Sequence, residues 1–404
     1  MSTLGAVGDI ALCGPTAKQM RAHGRGWPFA QVLPALARAE VLFANLESVL
    51  VPDDFPDEHL NPRGLVSKAD AAGALKDAGF HILSAANNHI LDAGTTGLFH
   101  TAQVLERAGL LVGGVGATQD DARKPVVVER NGLRFGFLCY AEDSNYSMST
   151  TGPCHAYYTP AAVLDDISRV RPTVDILVIS VHADLEFSET PSPARRDAFR
   201  EFARSGATIV LGHHPHVPQG VERIGSSLVA YSLGNFVFHA RTSQYMRRHA
   251  PATAQSFILL VDVSRDGVED FERVPIVIAD PPDERPTLAS GDLGAELERL
   301  DELVADDAVV AENWRLTTLR QLQVHAGVLG SSADDPTRLL SHLGRLLYVA
   351  ENRAWCEEVE RAAGELWQAQ RSQMHEFQRP SFASEPRPTV ASRLRSLLSR
   401  LGRS

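Results

Sequence analysis

Three kinds of feature are scarce in this sequence, and each scarcity argues against a class of protein. The 404 residues contain four cysteines (Cys13, Cys139, Cys154 and Cys356), which lie far apart without a Cys-x-x-Cys pair and so predict free thiols. No run of about 18 apolar residues occurs, which excludes a transmembrane helix. The first residues carry neither a basic segment nor a long apolar one, so we expect no secretory signal and a cytoplasmic protein.

Basic residues are also outnumbered by acidic ones. The chain has 39 lysines and arginines against 50 aspartates and glutamates, which gives a formal net charge of −11. We therefore expect no nucleic-acid partner, because such partners need a basic footprint. A small anionic substrate stays compatible with this charge, since bound metal ions can supply local positive charge. A hydrophobic content of 44% and a charged content of 22% are typical of a globular protein with a substantial core.

The order of the apolar segments predicts an α/β fold. Strands alternate with helices, an Asn131-Gly132 turn indicates a hairpin, and the last four strands are predicted to form an antiparallel set. The predicted strands are Leu4–Ile10, Val41–Ala44, Ile82–Ala86, Val126–Glu129, Leu133–Leu138, Asp175–Val181, Ala207–Leu211, Val221–Ile224, Leu228–Tyr231, Ser256–Val263 and Val268–Val277. The predicted helices are Phe29–Ala39, Ala69–Ala78, Thr95–Ala108, Ala161–Val170 and Pro193–Ser205. Two mixed sheets packed face to face, with helices outside, fit this order.

The chain divides into four predicted regions. Residues 1–280 form the α/β domain, and residues 281–287, which are rich in proline and acidic side chains, form a linker. Residues 288–376 have helical spacing and predict a small cap or a dimerisation element in preference to a separate functional domain. A dimerisation element would make the protein a homo-oligomer. The arginine-rich tail, residues 377–404, is either a solvated terminus or a surface for a partner or an anionic membrane.

Five short polar clusters follow apolar segments, at the points where the predicted strands end. They are Gly8-Asp9, Asn45-Leu46-Glu47, Asn87-Asn88-His89, His182 and Gly212-His213-His214-Pro215-His216. The carboxyl ends of strands converge at one edge of an open α/β sheet, where such folds place their sites. These residue types are ligands for divalent ions, and two ions commonly share one site. The sequence therefore predicts a centre of two divalent ions, with Mn, Fe and Zn about equally suited to the ligands.

The spacing of His214 and His216 is the strongest single metal signal. On an extended segment, residues two positions apart face the same side, so both imidazoles would reach the centre. His213 would then point the other way, towards a helix or solvent. Asn45 and Glu47 have the same spacing, and the two oxygens of Glu47 could bridge two ions. Taken alone, this second pair would fit a capped helix start better.

His89 and its neighbours indicate either proton donation or the orientation of a phosphate. Asp92, three positions after His89, is placed to hold the imidazole by a hydrogen bond, as carboxylates beside metal sites often do. The alternative is an Asn/Asp-rich turn. His182 is either a ligand or a structural histidine. Glu186, four positions later, is expected either to support a ligand or to bind substrate, and Asn235 is expected to reach the same cleft.

Together these blocks resemble the capsule-synthesis (CapA-type, poly-γ-glutamate) proteins of the calcineurin-like metallophosphatase superfamily. The matching blocks are Gly8-Asp9-Ile10, Asn45-Leu46-Glu47, Asn87-Asn88-His89-x-x-Asp92-x-Gly94, His182-x-x-x-Glu186, Gly212-His213-His214-Pro215-His216-Val217 and Tyr231-Ser232-Leu233-Gly234-Asn235-Phe236, within about residues 4–280. The resemblance implies a four-layer αββα sandwich, to which this chain adds a C-terminal helical extension. It implies metal ligation by Asp9, Glu47, Asn88, His182, His214 and His216. It also makes His89 the catalytic histidine.

The sequence departs from the superfamily pattern at two places. Ala11 stands where phosphatases of this superfamily usually carry the histidine of an Asp-x-His motif, so one ligand is missing. Ala183-Asp184 replaces the Trp-Gly that usually follows the single histidine in the capsule family. That loop is therefore expected to suit a different substrate.

Two functional hypotheses follow from these residues. In the first, the chain is a hydrolase in which the metal pair activates water, and His89, oriented by Asp92, protonates the leaving group. Its substrate, a small molecule or a polymer, carries a phosphoester or a γ-glutamyl-type amide, and the expected substrate contacts are Asn45, Glu186, His213 and Asn235. In the second, the chain is a non-catalytic accessory or assembly protein of a polymer (capsule) biosynthesis complex. The missing ligand at Ala11 favours the second hypothesis, and the retained His89–Asp92 pair favours the first.

Overall fold

The protein is described by a computed structural model covering residues 1–55, 64–142, 152–331, 355–361 and 363–365. The chain separates into two compact units, Met1–Trp314 and Arg315–Ser404. The first unit carries both large sheets and every residue predicted for the site.

The secondary structure of the described residues alternates as the sequence predicts over most of the first unit. The strands are β1 (Ser2–Ile10), β2 (Val41–Leu46), β3 (Val49–Val51), β4 (Val66–Lys68), β5 (Ile82–Ser84), β6 (Leu111–Gly113), β7 (Val115–Gly116), β8 (Val126–Arg130), β9 (Leu133–Ala141), β10 (Cys154–His155), β11 (Ile176–His182), β12 (Ile209–His213), β13 (Val221–Ile224), β14 (Ser227–Ala230), β15 (Asn235–Val237), β16 (Gln255–Ser264), β17 (Gly267–Ile278) and β18 (Pro286–Leu288). The α-helices are α1 (Gly14–His23), α2 (Leu33–Leu36), α3 (Asp70–Asp77), α4 (Gly94–Arg107), α5 (Gln119–Ala122), α6 (Pro160–Val170), α7 (Pro193–Arg204), α8 (Gln244–Arg247), α9 (Leu293–Ala305) and α10 (Asp307–Ser331). Short 3-10 helices cover Trp27–Phe29, Arg171–Thr173 and Ala252–Ala254, and residues 355–361 and 363–365 are also helical.

Two large mixed sheets form the centre of the first unit. The first has the strand order β18-β17-β16-β1-β2-β5-β6, with β15 also pairing with β1, and the second has the order β13-β14-β12-β11-β9-β8. The expectation that the last four predicted strands form one antiparallel set is wrong. Strand β14 lies parallel to β12 in the second sheet, whereas β16 and β17 belong to the first. All four residues of β14 are buried, which suits an interior position in a parallel run.

The two sheets pack face to face between layers of helices. Successive residues of β1 show the arrangement, because Leu4 and Ala6 join a core shared with Phe135 and Phe137 of the other sheet, whereas Val7 joins a core under the helices. This alternation is the period of two that a strand imposes on its side chains. A third core covers the outer face of the second sheet, against α6 and α7. The predicted αββα sandwich is confirmed, and the C-terminal helices are present.

The predicted helix Phe29–Ala39 is much shorter in the structure. A 3-10 turn at Trp27–Phe29 and the short helix α2 replace it. Pro28 and Pro34 explain the difference, since proline supplies no backbone donor and is tolerated only in the first turn of a helix. The predicted hairpin is confirmed, and both residues of its turn, Asn131 and Gly132, have the positive φ that such a turn needs.

The region after residue 280 begins inside the sandwich. Strand β18 pairs with β17, so the segment predicted as a linker, residues 281–287, runs into the first sheet. Leu293, Leu297 and Leu300 of α9 then pack into the core between the sheets. The boundary predicted at residue 280 therefore does not coincide with the edge of the compact unit, because the apolar face of α9 is covered by the sandwich. The basic tail, residues 377–404, lies outside the described residues.

No helix among the described residues combines the length and the apolar character needed to cross a membrane. The four cysteines are free thiols, and Cys13, Cys139 and Cys154 are buried.

Gly8 allows the close approach on which the predicted site depends. A Cβ added at Gly8 would lie 1.8 Å from the carbonyl oxygen of Gly234, in the segment that leads into β15. Only glycine at this position lets that segment run against β1, where the Asp9 N–H donates to the same carbonyl over 3.0 Å.

We expect Gly8→Ala to lower the free energy of unfolding by about 3 kcal/mol or more, because the overpacked backbone must shift. Urea denaturation measures the change. Gly294→Ala in α9 is the control, since no atom lies within 4 Å of the added Cβ. That change should be neutral or stabilise by roughly 0.5 kcal/mol. Equal unfolding midpoints for the two variants would contradict the packing argument.

Candidate metal centre

The strand ends bring the predicted polar clusters to one edge of the sandwich. In the first sheet, Asp9 is in register with Asn45 on one side and with Asn235 on the other. In the second sheet, His182 is in register with His213. The Asp9 carboxylate joins the sheets, because its Oδ2 accepts a 3.2 Å hydrogen bond from the backbone N–H of His214. Residues 205 positions apart in the chain thus become neighbours.

The carboxylate of Glu47 lies at the middle of this edge. Its Oε1 is 3.8 Å from Nε2 of His89, 3.8 Å from Nε2 of His182 and 3.7 Å from Nε2 of His216. The side chain is completely buried, and neither oxygen has a hydrogen-bond donor among the described residues. Burial raises the pKa of Glu47 well above its usual value, with further contributions from the charges of Asp9, Glu186 and Asp92.

A divalent cation fits this arrangement. A buried carboxylate without a donor is strongly destabilising unless a positive charge compensates it. Three imidazole nitrogens at 3.7–3.8 Å point to the same oxygen without forming a hydrogen bond. These side chains are too far apart to hydrogen-bond to Glu47, whereas a metal ion between them could bind the carboxylate and the imidazoles together.

Asp9 is held in its ionised form. Burial alone would raise its pKa, but the hydrogen bond and charge of His213, the charge of His216 and the 2.8 Å hydrogen bond from Asn45 Nδ2 outweigh burial and lower the pKa below its usual value. The sequence predicts that Asn45 contacts the substrate. The structure shows it fully buried and bonded to Asp9, so its present contact is with a candidate ligand.

His182 and His214 meet at the same edge. Nε2 of His182 lies 3.1 Å from Nδ1 of His214 and 3.0 Å from Oδ1 of Asn88. Burial lowers the pKa of His182 well below its usual value, and the neighbouring histidines His214, His213, His216 and His89 lower it further. The imidazole is therefore neutral, which is the form that binds metals.

His214 and His216 converge, but not on an extended segment. Their φ angles are +96° and +57°, in the left-handed region, so the extended geometry predicted from their spacing is wrong. Asp184 and Phe187, in the facing loop, also have positive φ. Such conformations each cost about 1–3 kcal/mol and persist where the surrounding structure demands them, often at functional sites. Burial lowers the pKa of His216 to about 4.

His213 does not face a helix or solvent. Its ring is buried between the sheets, 6.1 Å from the ring of Phe43, and its Nδ1 lies 3.3 Å from Oδ1 of Asp9. The reason is that His213 is the last residue of β12, whose alternation turns it towards the core. A side chain only 1% exposed and under Asp9 is poorly placed for the substrate contact expected of it.

His89 and Asp92 are paired as the sequence predicts. Nδ1 of His89 lies 2.7 Å from Oδ2 of Asp92, which also accepts a 2.6 Å hydrogen bond from the backbone N–H of Leu65. Asp92 is buried, whereas the His89 side chain is 17% exposed. The ring is thus fixed at Nδ1, and its Nε2 is directed to the centre.

Asn235 holds the ring of His216 through its Nδ1 atom. Its Oδ1 lies 2.9 Å from Nδ1 of His216, and its Nδ2 donates to the backbone carbonyls of His216 and Thr253. Asn235 is completely buried, so in the described structure it acts on the ring of His216 and not on a bound molecule. Partners of this kind orient a ligating imidazole and raise its basicity.

We expect Asn235→Ala to weaken metal binding by about 10- to 100-fold, because the ring of His216 loses its fixed orientation. Competition with a chromophoric chelator measures the affinity. Thermal unfolding of the metal-free variant separates this effect from a general loss of stability. Unchanged affinity in a folded variant would show that Asn235 does not position His216.

Among the residues that the structure describes, three groups of side chains could each hold an ion. The ligand atoms within each group lie within 4.8 Å of one another, and the groups are Glu47 with His182 and His214, Asp9 with Glu47 and His216, and Glu186 with His214 and His216. Glu47 belongs to two of the groups, which fits a carboxylate that bridges two neighbouring positions. Ala11 contributes no ligand and packs in an apolar cluster with Cys13, Phe238 and Ala240.

An aromatic wall beside His216 was not predicted from the sequence. The Phe187 ring stacks on the ring of His249 at 3.9 Å and meets the ring of Tyr245 at 5.1 Å. The ring of Phe238 lies 4.8 Å from that of His216. Phe187 and His216 lie far in the sequence from Phe238, Tyr245 and His249, and no motif joins them, so no local pattern could have grouped them.

A buried arginine near the centre was also missed. Arg195 donates to Glu142 over 2.8 Å and covers the ring of Tyr158 at 4.3 Å. Glu142 in turn accepts from the backbone N–H of Asp184, two residues after His182. The contact joins helix α7 to the end of β9, which sequence spacing cannot indicate.

Comparison with known proteins decides the family. The profile of the family "Bacterial capsule synthesis protein PGA_cap" matches residues 3–240. The chain belongs to this family. The match covers the strand ends that form the candidate centre, from Asp9 to Asn235.

Two proteins of similar sequence and one of similar structure can be compared with this chain. The capsule biosynthesis protein CapA of Bacillus anthracis is 29% identical over 244 residues, which are 58% of this chain and 59% of that protein. A probable polyglutamine synthesis accessory protein of Mycobacterium tuberculosis is 28% identical over 52% of this chain and 59% of its own length. The chain therefore spans about three fifths of the length of these relatives. A putative 5'-nucleotidase of Staphylococcus aureus aligns at a TM-score of 0.43 with 13% identity, over 76% of this chain and 58% of that one.

Proposed function

We propose that this PGA_cap-family protein is a metal-dependent hydrolase that binds two divalent ions through Asp9, Glu47, Asn88, His182, His214 and His216. The observation that carries the proposal is Glu47, a completely buried carboxylate with no hydrogen-bond donor among the described residues and three imidazoles around it. A structural core would pair or replace such a group, whereas a metal centre needs it.

The residues of this centre would hold divalent ions, which, when bound, would supply a water of lowered pKa, about 7, and a positive charge beside the bond to be cleaved. The protein supplies the orientation and the proton. His89, whose Nδ1 is held by Asp92, directs its Nε2 to the centre and protonates the leaving group from there. Asp9 stays ionised and keeps His213, His214 and Asn45 in place around it.

The proposed substrate carries a phosphoester or a γ-glutamyl-type amide. The sequence resemblance to poly-γ-glutamate synthesis proteins supports the amide, and the metallophosphatase superfamily in which that resemblance places them supports the phosphoester. Glu186 is proposed to contact the substrate, since its Oε1 lies 3.8 Å from His216 Nε2 and its side chain is 18% exposed. The carboxylate, amide and imidazole ligands are of a softness that suits Mn, Fe and Zn. We also propose a cytoplasmic location.

A second candidate function is an accessory role without catalysis in the synthesis of a polymer. The alanine at position 11 favours it, because one expected ligand is missing there. The name of the mycobacterial relative, an accessory protein, supports the same direction. In this role the centre would stabilise a binding surface, and the His89–Asp92 pair would have no proton to transfer.

Metal content separates these candidates at the first step. The full-length protein, purified without chelator and supplemented with Mn or Zn, is analysed by elemental mass spectrometry. The hydrolase proposal expects about two ions per chain, followed by release of product from a phosphoester or a γ-glutamyl amide. One ion per chain would indicate that the ligand missing at Ala11 leaves one metal position empty, and would favour the accessory role. Absence of metal after supplementation would overturn the hydrolase proposal.

A further inference from the structure

A basic segment lies beside the candidate centre. Residues Arg241 to His249, here called the basic segment, contain three arginines and one histidine and no acidic residue. The segment follows β15 and includes the short helix α8. The chain as a whole has a formal net charge of −11, whereas this segment is positively charged.

Direct contacts join the basic segment to the centre. The hydroxyl of Tyr245 donates to the carboxylate of Glu186, whose Oε1 lies 3.8 Å from Nε2 of His216. Phe187, next to Glu186, stacks on His249 and meets the ring of Tyr245. The segment thus lies beside Glu186, which itself neighbours His216.

The backbone of the basic segment is held at its start and again at Met246. At its start, Oε1 of the buried Glu284 accepts hydrogen bonds from the backbone N–H groups of Arg241 and Thr242, each over 2.8 Å. Further on, the side chain of Met246 is buried, and the Thr253 hydroxyl donates to its carbonyl over 3.0 Å. A fixed segment loses little conformational entropy when it binds a ligand.

Two charges on this fixed segment are available to a ligand. Arg241 is paired with Asp280 at 3.1 Å. Arg247 and Arg248 are both exposed, and neither forms an ion pair with any residue that the structure describes. Guanidinium groups bind carboxylates and phosphates through paired hydrogen bonds, which makes them suited to a planar or tetrahedral anion.

We propose that Arg247 and Arg248 bind a second anionic group of the substrate, a carboxylate or a phosphate, beyond the group held at the metal centre. The inference rests on the proposed function, because it assigns the substrate class of the same site. The substrate is then an anion with at least two charged groups, one at the metal centre and one at the basic segment. Tyr245, two residues before Arg247, links the segment to the centre through its hydrogen bond to Glu186.

Fluorescence anisotropy of two labelled peptides tests this assignment on the full-length, metal-supplemented protein. A pentaglutamate peptide presents carboxylates, a peptide of three phosphoserines presents phosphates, and a pentaglutamine peptide is the uncharged reference. The test variant is Arg247→Gln/Arg248→Gln. The control is Arg107→Gln/Arg204→Gln, which changes the net charge equally at the C-terminal ends of α4 and α7, remote from the strand ends.

We expect the test variant to bind one anionic peptide about tenfold more weakly than wild type at low salt, while the control changes affinity by less than about twofold. The difference should shrink as salt rises, because the screening length falls below about 8 Å above physiological ionic strength. Weaker binding of pentaglutamate alone assigns a carboxylate substrate, and weaker binding of the phosphopeptide alone assigns a phosphate substrate.

Two results would overturn the assignment. One is equal weakening by the test and control variants, which would indicate a general charge effect. The other is an absence of anion binding, over the pentaglutamine reference, by the wild-type protein. Metal content, measured on the same samples, tests the hydrolase proposal separately, since neither arginine belongs to a candidate ligand group.

Discussion

The His214→Ala/His216→Ala variant is expected to lose almost all of its bound metal. Each of the three candidate ligand groups contains His214, His216 or both, so the double substitution removes a ligand from every group. Loss of a supporting residue alone typically costs about 10- to 100-fold in affinity, and loss of two direct ligands should cost at least about 1,000-fold. Elemental mass spectrometry after gel filtration measures the ions that remain per chain.

A matched variant controls for the general effect of removing two histidines. His23→Ala/His81→Ala changes the same residue type at the end of α1 and just before β5, at the opposite end of that strand from the centre. It should retain the metal content of the wild type. A double variant at His214 and His216 that keeps its full metal content while folded would contradict the proposed ligand set.

The His89→Ala variant is expected to lose about 100- to 10,000-fold in turnover of a substrate with a poor leaving group. The reason is the loss of the proton donor that Asp92 holds against the centre. Its metal content should stay unchanged, because His89 belongs to none of the three candidate ligand groups. Release of phosphate from glycerol phosphate and of amine from a γ-glutamyl alkylamide measures turnover.

The leaving group provides the internal control for this variant. With p-nitrophenyl phosphate, whose leaving group departs without a proton, His89→Ala should lose much less turnover than with glycerol phosphate. Asp92→Asn should fall between wild type and His89→Ala on the poor leaving group. An equal loss on both substrates would indicate that His89 orients the site without donating a proton, and unchanged turnover would remove it from the mechanism.

Much of the fold could be predicted because its signals are local. Buried strands read as short apolar segments, and the helices between them carry an apolar face, so the alternation of β1, α3, β5 and α4 follows from a few residues at a time. The same holds for the Asn131-Gly132 turn, whose positive φ angles are a property of the two residues. The errors at Phe29–Ala39 and in the final strands arose where proline or the choice of sheet outweighed the local pattern.

The candidate centre was only partly accessible to the same reasoning. The sequence places Asp9, Glu47, His182 and His214 near strand ends, and the structure brings these ends together. The orientation of His213 and the left-handed turns at His214 and His216 could not be inferred from spacing, because they depend on how the loop packs against Asp9.

The sequence by itself determined the residue types of the centre, their placement near strand ends and the alternation that buries one face of each strand. These features depend on the chain within a few residues, where propensity and period act. The tertiary structure alone decided that the carboxylate of Asp9 meets the backbone of His214 and that Tyr245 meets Glu186, residues 205 and 59 positions apart. Such contacts arise when two sheets pack at a fixed separation, and no local property of the chain encodes that distance.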